Sequence, residues 1–267
     1  MAAESFAGYR TLAFERRGRV LWVTLNRPEV LNAIDEAMHD DLARIFPELN
    51  DDPESDVVIL TGAGRAFSAG GDARWLQAMI DEPRRFRAIA PAAKRIVFSL
   101  LELEKPIICR LNGAAAGLGA TIALLCDVVI ASDTATIGDP HVRMGLVAGD
   151  GGAVIWPQLV GFARAKELLM TGEMLTAERA ERLGLVNYVV PAAELDAKVN
   201  EMADRLAQGA PLAIRWTKTV ANIPLRRLAH DLMDASVAYE MVTNLSADHR
   251  EAVSAFREKR KPTFRGE

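Results

Sequence analysis

The sequence predicts an α/β fold. Three observations carry that expectation. β-Branched and apolar runs alternate with stretches of helical periodicity, glycine-bearing loops follow several of the runs and turn the chain back, and strand-like runs nearly vanish after Phe162. The order strand, strand, helix recurs, which suggests a core stacked along one direction. A mostly helical last third then adds a packing or lid region. The expected division is a core over residues 1–198 and a helical subdomain over 199–267.

Taken in order, Arg19–Leu25 reads as a buried strand that Asn26-Arg27-Pro28-Glu29 breaks. From Asn32 onward Ile34, Met38, Leu42, Ile45 and Leu49 recur at helical intervals, with Pro47 expected to bend or end that helix early. The polar link 50–56 leads to the β-branched run Val57–Thr61. The loop that follows closes on Ala69-Gly70-Gly71-Asp72, and Ala73–Ile80 reads as an amphipathic helix. A second helix is expected from about Phe86 to Leu103, where Lys105-Pro106 stops it. Ile107–Leu111 is the next strand, followed by the loop Asn112–Gly119 and a helix over Ala120–Cys126. Asp127–Ala131 and Ala135–Gly138 read as strands. The segment Asp139–Gly152 holds several glycines and prospective acid/base groups, which suits a site wall better than a helix interior. Beyond it, helices are expected over 163–170, 176–182 (closed by Gly184), 192–208, 211–222 and about 226–258, with one strand over 185–190.

Composition narrows the function. Half of the 267 residues are hydrophobic, a quarter are charged and the net charge is −4, as in ordinary soluble domains. No basic block precedes the short tail Arg257–Arg265, which argues against a nucleic-acid partner. No signal segment or membrane-length apolar run is visible, so a cytoplasmic protein with no membrane partner is the expectation. Cys109 and Cys126 sit in apolar surroundings and read as reduced core thiols.

Two loops carry the chemistry. Gly70-Gly71 leaves backbone N–H groups uncovered by any Cβ, so a substrate oxygen can approach them. The Gly113–Gly119 loop opens a helix, whose first N–H groups have no partner and sit at the positive end of the dipole. Two such donors aimed at one point form an oxyanion hole. The plain alternative is a strand and a tight turn.

The segments Val23-Thr24-Leu25-Asn26-Arg27-Pro28 with Leu31-Asn32-Ala33, Gly64–Asp72, Lys105-Pro106 with Asn112-Gly113, Leu124–Asp127 and Gly184-Leu185-Val186 occur in this order. Together they resemble the crotonase superfamily (enoyl-CoA hydratase/isomerase) over roughly residues 10–265. The resemblance implies a spiral of stacked ββα units with a C-terminal helical trimerisation or lid region. It also implies a homotrimer or dimer of trimers, and a coenzyme A thioester substrate with no separate cofactor and no metal. It places the thioester carbonyl between the N–H groups of Gly71 and Leu118, the latter a departure from the usual glycine. Glu29, Val30, Leu31, Ala69, Asp72 and Ala73 would contact coenzyme A, Glu29 standing where relatives often carry lysine. Phe256 and Lys261 would cover the nucleotide, from this or a neighbouring subunit. Trp75 and Met79 would line the acyl pocket, and for both, as for Phe86, packing in the core is the alternative.

The two catalytic glutamates of hydratases of this family are replaced here by Thr121 and His141. A threonine can hold a water, and a histidine can accept and donate protons near neutral pH. Asp150, one residue beyond a position from which some relatives project an aspartate, is the second acid/base candidate. Plainer roles are a backbone-bonded structural His141, a helix-capping Asp150, a packing Thr121 and a loop-bracing Asp72. His39, His230 and His249 read as surface or core residues. Hydration of an unsaturated acyl-CoA, or its reverse, is the expected reaction. Isomerisation, hydrolysis of a C–C or thioester bond, and non-catalytic acyl-CoA binding are the alternatives.

Overall fold

A computed structural model describes residues 6–267; residues 1–5, the start of the expected 1–198 core, lie outside the described residues. Strand β1 (Leu12–Arg17) pairs antiparallel with β2 (Val20–Leu25). Then β3 (Val57–Gly62), β5 (Ile107–Leu111), β7 (Val128–Ser132) and β10 (Tyr188–Val190) continue the sheet in parallel, in the order β1-β2-β3-β5-β7-β10. All of β3 is buried, which is why its sequence is a continuous apolar run without alternation. A second sheet is made of short strands, β4 (Ala66–Ser68), β6 (Ala114–Ala116), β8 (Thr136–Gly138) and β9 (Met174–Thr176), in the order β4-β6-β8-β9.

The two sheets explain the repeat of strand, strand, helix. Each turn of chain gives a long strand to one sheet and a short strand to the other, then a helix. These are β3-β4 with α2 (Ala73–Asp81) and α3 (Arg84–Glu102), β5-β6 with α4 (Leu118–Leu125), and β7-β8 with α5 (Gly152–Thr171). The expected spiral of ββα units is the fold observed. Alternate residues of the long strands divide between two apolar layers. Leu21, Val23, Val58 and Leu60 enter the main core. Val20, Trp22, Val57, Ile59, Ile108 and Ile130 face outward onto Leu195, Val199 and Ala203 of α7 (Leu195–Ala207). The expected boundary between residues 198 and 199 falls inside this helix.

Helices α8 (Pro211–Ala221), α9 (Ile223–Asn244) and α10 (Ala247–Arg257) complete the chain. Helix α9 packs on α3 and α5, and α10 packs on α2 and the short 3-10 turn His141–Met144. The last third is therefore applied directly to the wall of the core.

Several local expectations are corrected. Helix α1 (Glu36–Asp51) runs through Pro47, because the proline lies on the exposed face while Ile45, Phe46 and Leu49 bury the other. The strands β1, β4, β6 and β9 were not expected, three of them being only three residues long and held by sheet pairing. The helix expected over 226–258 breaks at Leu245-Ser246, where Ser246 Oγ caps α10 by accepting from His249 N–H at 3.0 Å.

Candidate active site

Two asparagines fasten the loop that carries Gly71. Asn32 Nδ2 donates to the Ala63 and Ala66 carbonyls, at 2.9 Å each, and Asn112 Nδ2 donates to the Gly64 carbonyl at 3.0 Å. Asp72 accepts from Arg74 N–H at 2.9 Å, starting α2, and pairs with Arg27 at 3.5 Å, so it braces the loop. Between these anchors Ile34 bridges Gly71 in parallel fashion: Ile34 N–H donates to the Gly70 carbonyl at 2.8 Å, and Asp72 N–H donates to the Ile34 carbonyl at 2.9 Å. The Gly71 N–H lies between these two bonds and must point the other way. No described group accepts from it, and Gly71 lines a cavity of about 340 Å³.

The second amide is built differently. Gly117 adopts φ 54° and ψ −127°, and its N–H donates to the Gly138 carbonyl at 3.1 Å. The positive φ favours glycine there, and a Cβ would crowd His141 Cε1 at 3.3 Å. Leu118 is the first residue of α4, so its N–H has no partner within the helix. It lines the same cavity, while its side chain is 7% exposed and belongs to the main core.

His141 and Asp150 line the same cavity and belong to a chain of bonded side chains. His141 Nδ1 pairs with Asp139 Oδ1, and His141 Nε2 with Asp150 Oδ2 at 3.2 Å. Thr121 donates to the other Asp150 oxygen at 3.3 Å. Burial pushes the imidazole pKa down, but the charges of Asp139 and Asp150 and the hydrogen bonds to both hold it well above its ordinary value. An imidazolium therefore sits between two carboxylates. The ligating atoms of Asp139, His141 and Asp150 lie within 4.8 Å of one another, close enough to share a cation, although the imidazolium already offsets one of the two carboxylate charges.

Asp150 does not cap α5. Gly151 stands at that cap without a side-chain bond, and the Asp150 carboxylate is held by His141 and Thr121. Thr121, expected to position water, is fully buried and does not line the cavity; it orients Asp150 from behind. His141 is bonded to carboxylates and not to backbone.

Two cavity residues, Glu240 and His39, were missed as site residues in the sequence. Glu240 of α9 is buried and lines the cavity beside Gly149, where a Cβ would lie 2.6 Å from its Oε2. Burial, then the charge of Asp150, pushes its carboxyl up to about 8, against the opposing pull of His141. The available signal was a glutamate on the buried face of α9, in line with Met233, Ser236 and Val237. His39 of α1 lines the cavity against Trp75, and Asp139 orients His141. From α10, His249 Nδ1 donates to the Met144 carbonyl at 2.6 Å and anchors the turn that begins at His141.

Of the remaining expected contacts, Ala69, Ala73, Trp75, Met79, Phe86 and Phe256 line the cavity. Glu29, Val30 and Leu31 do not; they lie on and beside the exposed 3-10 turn Pro28–Val30. Lys261 is exposed on the terminal segment and also does not line it.

Residues 15–267 match the family model described as enoyl-CoA hydratase/isomerase. The chain is 38% identical over 254 residues to a short-chain-enoyl-CoA hydratase of Clostridium acetobutylicum, covering 92% of this chain and 94% of that protein. Among solved structures it is similar to an enoyl-CoA hydratase/isomerase from Mycobacterium paratuberculosis, with TM-score 0.89, 34% identity and coverage of 92% of this chain and 99% of that one. It is also similar to a beta-diketone hydrolase from the cyanobacterium Anabaena, with TM-score 0.84, 31% identity and coverage of 91% and 97%. A glycine-built pair of free amides, an α/β spiral and these likenesses agree: the chain belongs to the enoyl-CoA hydratase/isomerase family.

Proposed function

We propose that the protein is an acyl-CoA-processing enzyme of the enoyl-CoA hydratase type that adds water to an unsaturated thioester, or removes it. The observation that carries this reading is a pair of carboxyl groups, Asp150 and Glu240, on the wall of one cavity that also presents two free amides. The thioester oxygen accepts from Gly71 and Leu118 N–H, which stabilise the enolate that forms as the double bond is attacked. Asp150, its charge balanced by the His141 imidazolium, takes a proton from water, and the hydroxide adds to the β-carbon. Glu240, kept protonated at neutral pH by burial, gives a proton to the α-carbon. Dehydration runs the same steps backwards. Coenzyme A enters as part of the substrate, and the chain's own groups supply every proton transfer, so no further cofactor is required.

A second reading is hydrolysis of a C–C bond between two carbonyls. Two observations favour it: the likeness to a beta-diketone hydrolase, and an acidic Glu29 where the resemblance calls for a phosphate-binding lysine. The same amides would hold the departing enolate. The readings part in one assay, in which the protein is given either crotonyl-CoA or a free cyclic 1,3-diketone. Consumption of the thioester that is lost in Asp150→Asn supports hydration; consumption of the diketone alone overturns it in favour of hydrolysis.

The same proposal extends to assembly and location. Leu212, Trp216 and Val220 of α8 and Tyr239 and Val242 of α9 are exposed apolar side chains, which supports burial in a homotrimer or a dimer of trimers. No helix among the described residues is long and apolar enough to cross a membrane, in keeping with a cytoplasmic site of action.

A further inference from the structure

His39 lines the cavity next to the indole of Trp75. Its wall partners are Trp75, whose ring centroid is 5.3 Å away at an interplanar angle of 50°, with Leu76, Met79, Phe86 and Ile89 lining the same space. The imidazole is 2% exposed. Its Nδ1 is buried without a hydrogen-bond partner, and no described group bonds to Nε2. Burial lowers its pKa to about 4, against the opposing charges of Asp40 and Asp150, so at neutral pH it offers one N–H donor and one lone pair. A buried polar group left unpaired is costly, and such groups are ordinarily satisfied by protein, water or ligand.

A carbonyl oxygen has two lone pairs, and the amides of Gly71 and Leu118 already provide two donors for the reacting carbonyl. His39 is a further polar group of the cavity, and neither Asp150, His141 nor Glu240 bonds to it. We propose that His39 reads a second oxygen on the acyl part of the substrate, a ring or chain carbonyl or hydroxyl, so that the substrate class is a compact oxygenated acyl group and not a plain hydrocarbon chain. This rests on the acyl-CoA reading and deepens it by naming what the acyl pocket selects. The cavity of about 340 Å³ must take the thioester as well, which limits the room left for the acyl part. Trp75 and Met79 would pack the apolar faces of an acyl ring while His39 bonds its substituent.

The test is equilibrium binding, which needs no turnover. Cyclohexanecarboxyl-CoA and its 3-oxo and 4-oxo derivatives are titrated against wild type, His39→Leu and His39→Gln. One oxo derivative is expected to bind wild type at least about tenfold more tightly than the plain ring, as one hydrogen bond to a buried partner warrants. His39→Leu should erase that preference while leaving the plain-ring affinity within about twofold, and His39→Gln, which keeps a donor and an acceptor, should restore part of it. Equal affinities in wild type, or a preference that survives His39→Leu, overturn the inference while leaving the acyl-CoA reading standing. Should His39→Leu lower turnover with discrimination unchanged, the residue holds the reacting water and the inference is wrong. Absence of binding by all three thioesters to wild type overturns the acyl-CoA reading and the inference with it. The wild-type comparison stands even if a variant fails to fold.

Discussion

The two walls of the cavity are made in different ways. The amide wall is backbone: Gly71 is turned outward by a parallel bridge to Ile34, and Leu118 is left free by its place at a helix start. The acid/base wall is side chains drawn from three parts of the chain: Asp139 and His141 follow β8, Asp150 precedes α5, and Glu240 arrives on α9. The difference teaches that the amide wall rests on backbone features, a glycine and a helix start, which distant residues such as Ile34 and Asn112 hold in place. A proton-transfer pair with separated pKa values requires distant elements to be packed together, because burial does the separating.

Removing Asp150, the proposed base, should have the largest effect. Asp150→Asn keeps the shape and the Thr121 contact, yet turnover should fall by about a thousandfold, within the range for general acid–base groups. Steady-state kinetics on crotonyl-CoA checks this, and a drop under about tenfold would place the base elsewhere. Leu118→Pro attacks the opposite wall. Proline is tolerated at the first helical position, so α4 should survive while one oxyanion donor is lost, at a cost of about a hundredfold or more in kcat. Circular dichroism should show the fold unchanged.

Glu240→Gln should lower kcat by about a hundredfold and also reshape its pH profile. An acid must be protonated to act, so wild-type kcat should decline as pH rises through about 8, and that limb should vanish in the variant. The same carboxyl bears on stability. Its folded pKa of about 8 lies above the ordinary 4.5, so its contribution is full below pH 4.5 and is lost as pH rises through 8. Chemical denaturation across that window should show wild type losing stability that Glu240→Gln retains. The smallest effect belongs to Thr121→Val, which removes one donor to Asp150 from behind the cavity and should cost under about tenfold in kcat, with KM unchanged.

How much of this was legible in the sequence follows the same division. The long strands announce themselves as apolar runs because both faces of the large sheet are covered, by the core and by α7. Gly71 and Leu118 could be placed because the motifs around them resemble those of the family. Strands β4, β6 and β9 could not, because three residues carry no period and become strands only through their partners. Glu240 was hidden for a related reason. Nothing near it in sequence says that its helix face will close a cavity built from residues about ninety positions earlier. Asp139 was in view, but that it would orient His141 depended on the ring turning back toward it after Pro140.

The polarised carbonyl is tested most directly by difference infrared spectroscopy of a thioester labelled with carbon-13 at its carbonyl, bound to wild type and to Leu118→Pro. Two amide donors at one oxygen weaken the C=O bond, so the stretch should move to lower wavenumber on binding wild type and recover part of the way in the variant. A band that stays at its solution position in wild type would contradict the oxyanion site, whatever the neighbouring acid and base do.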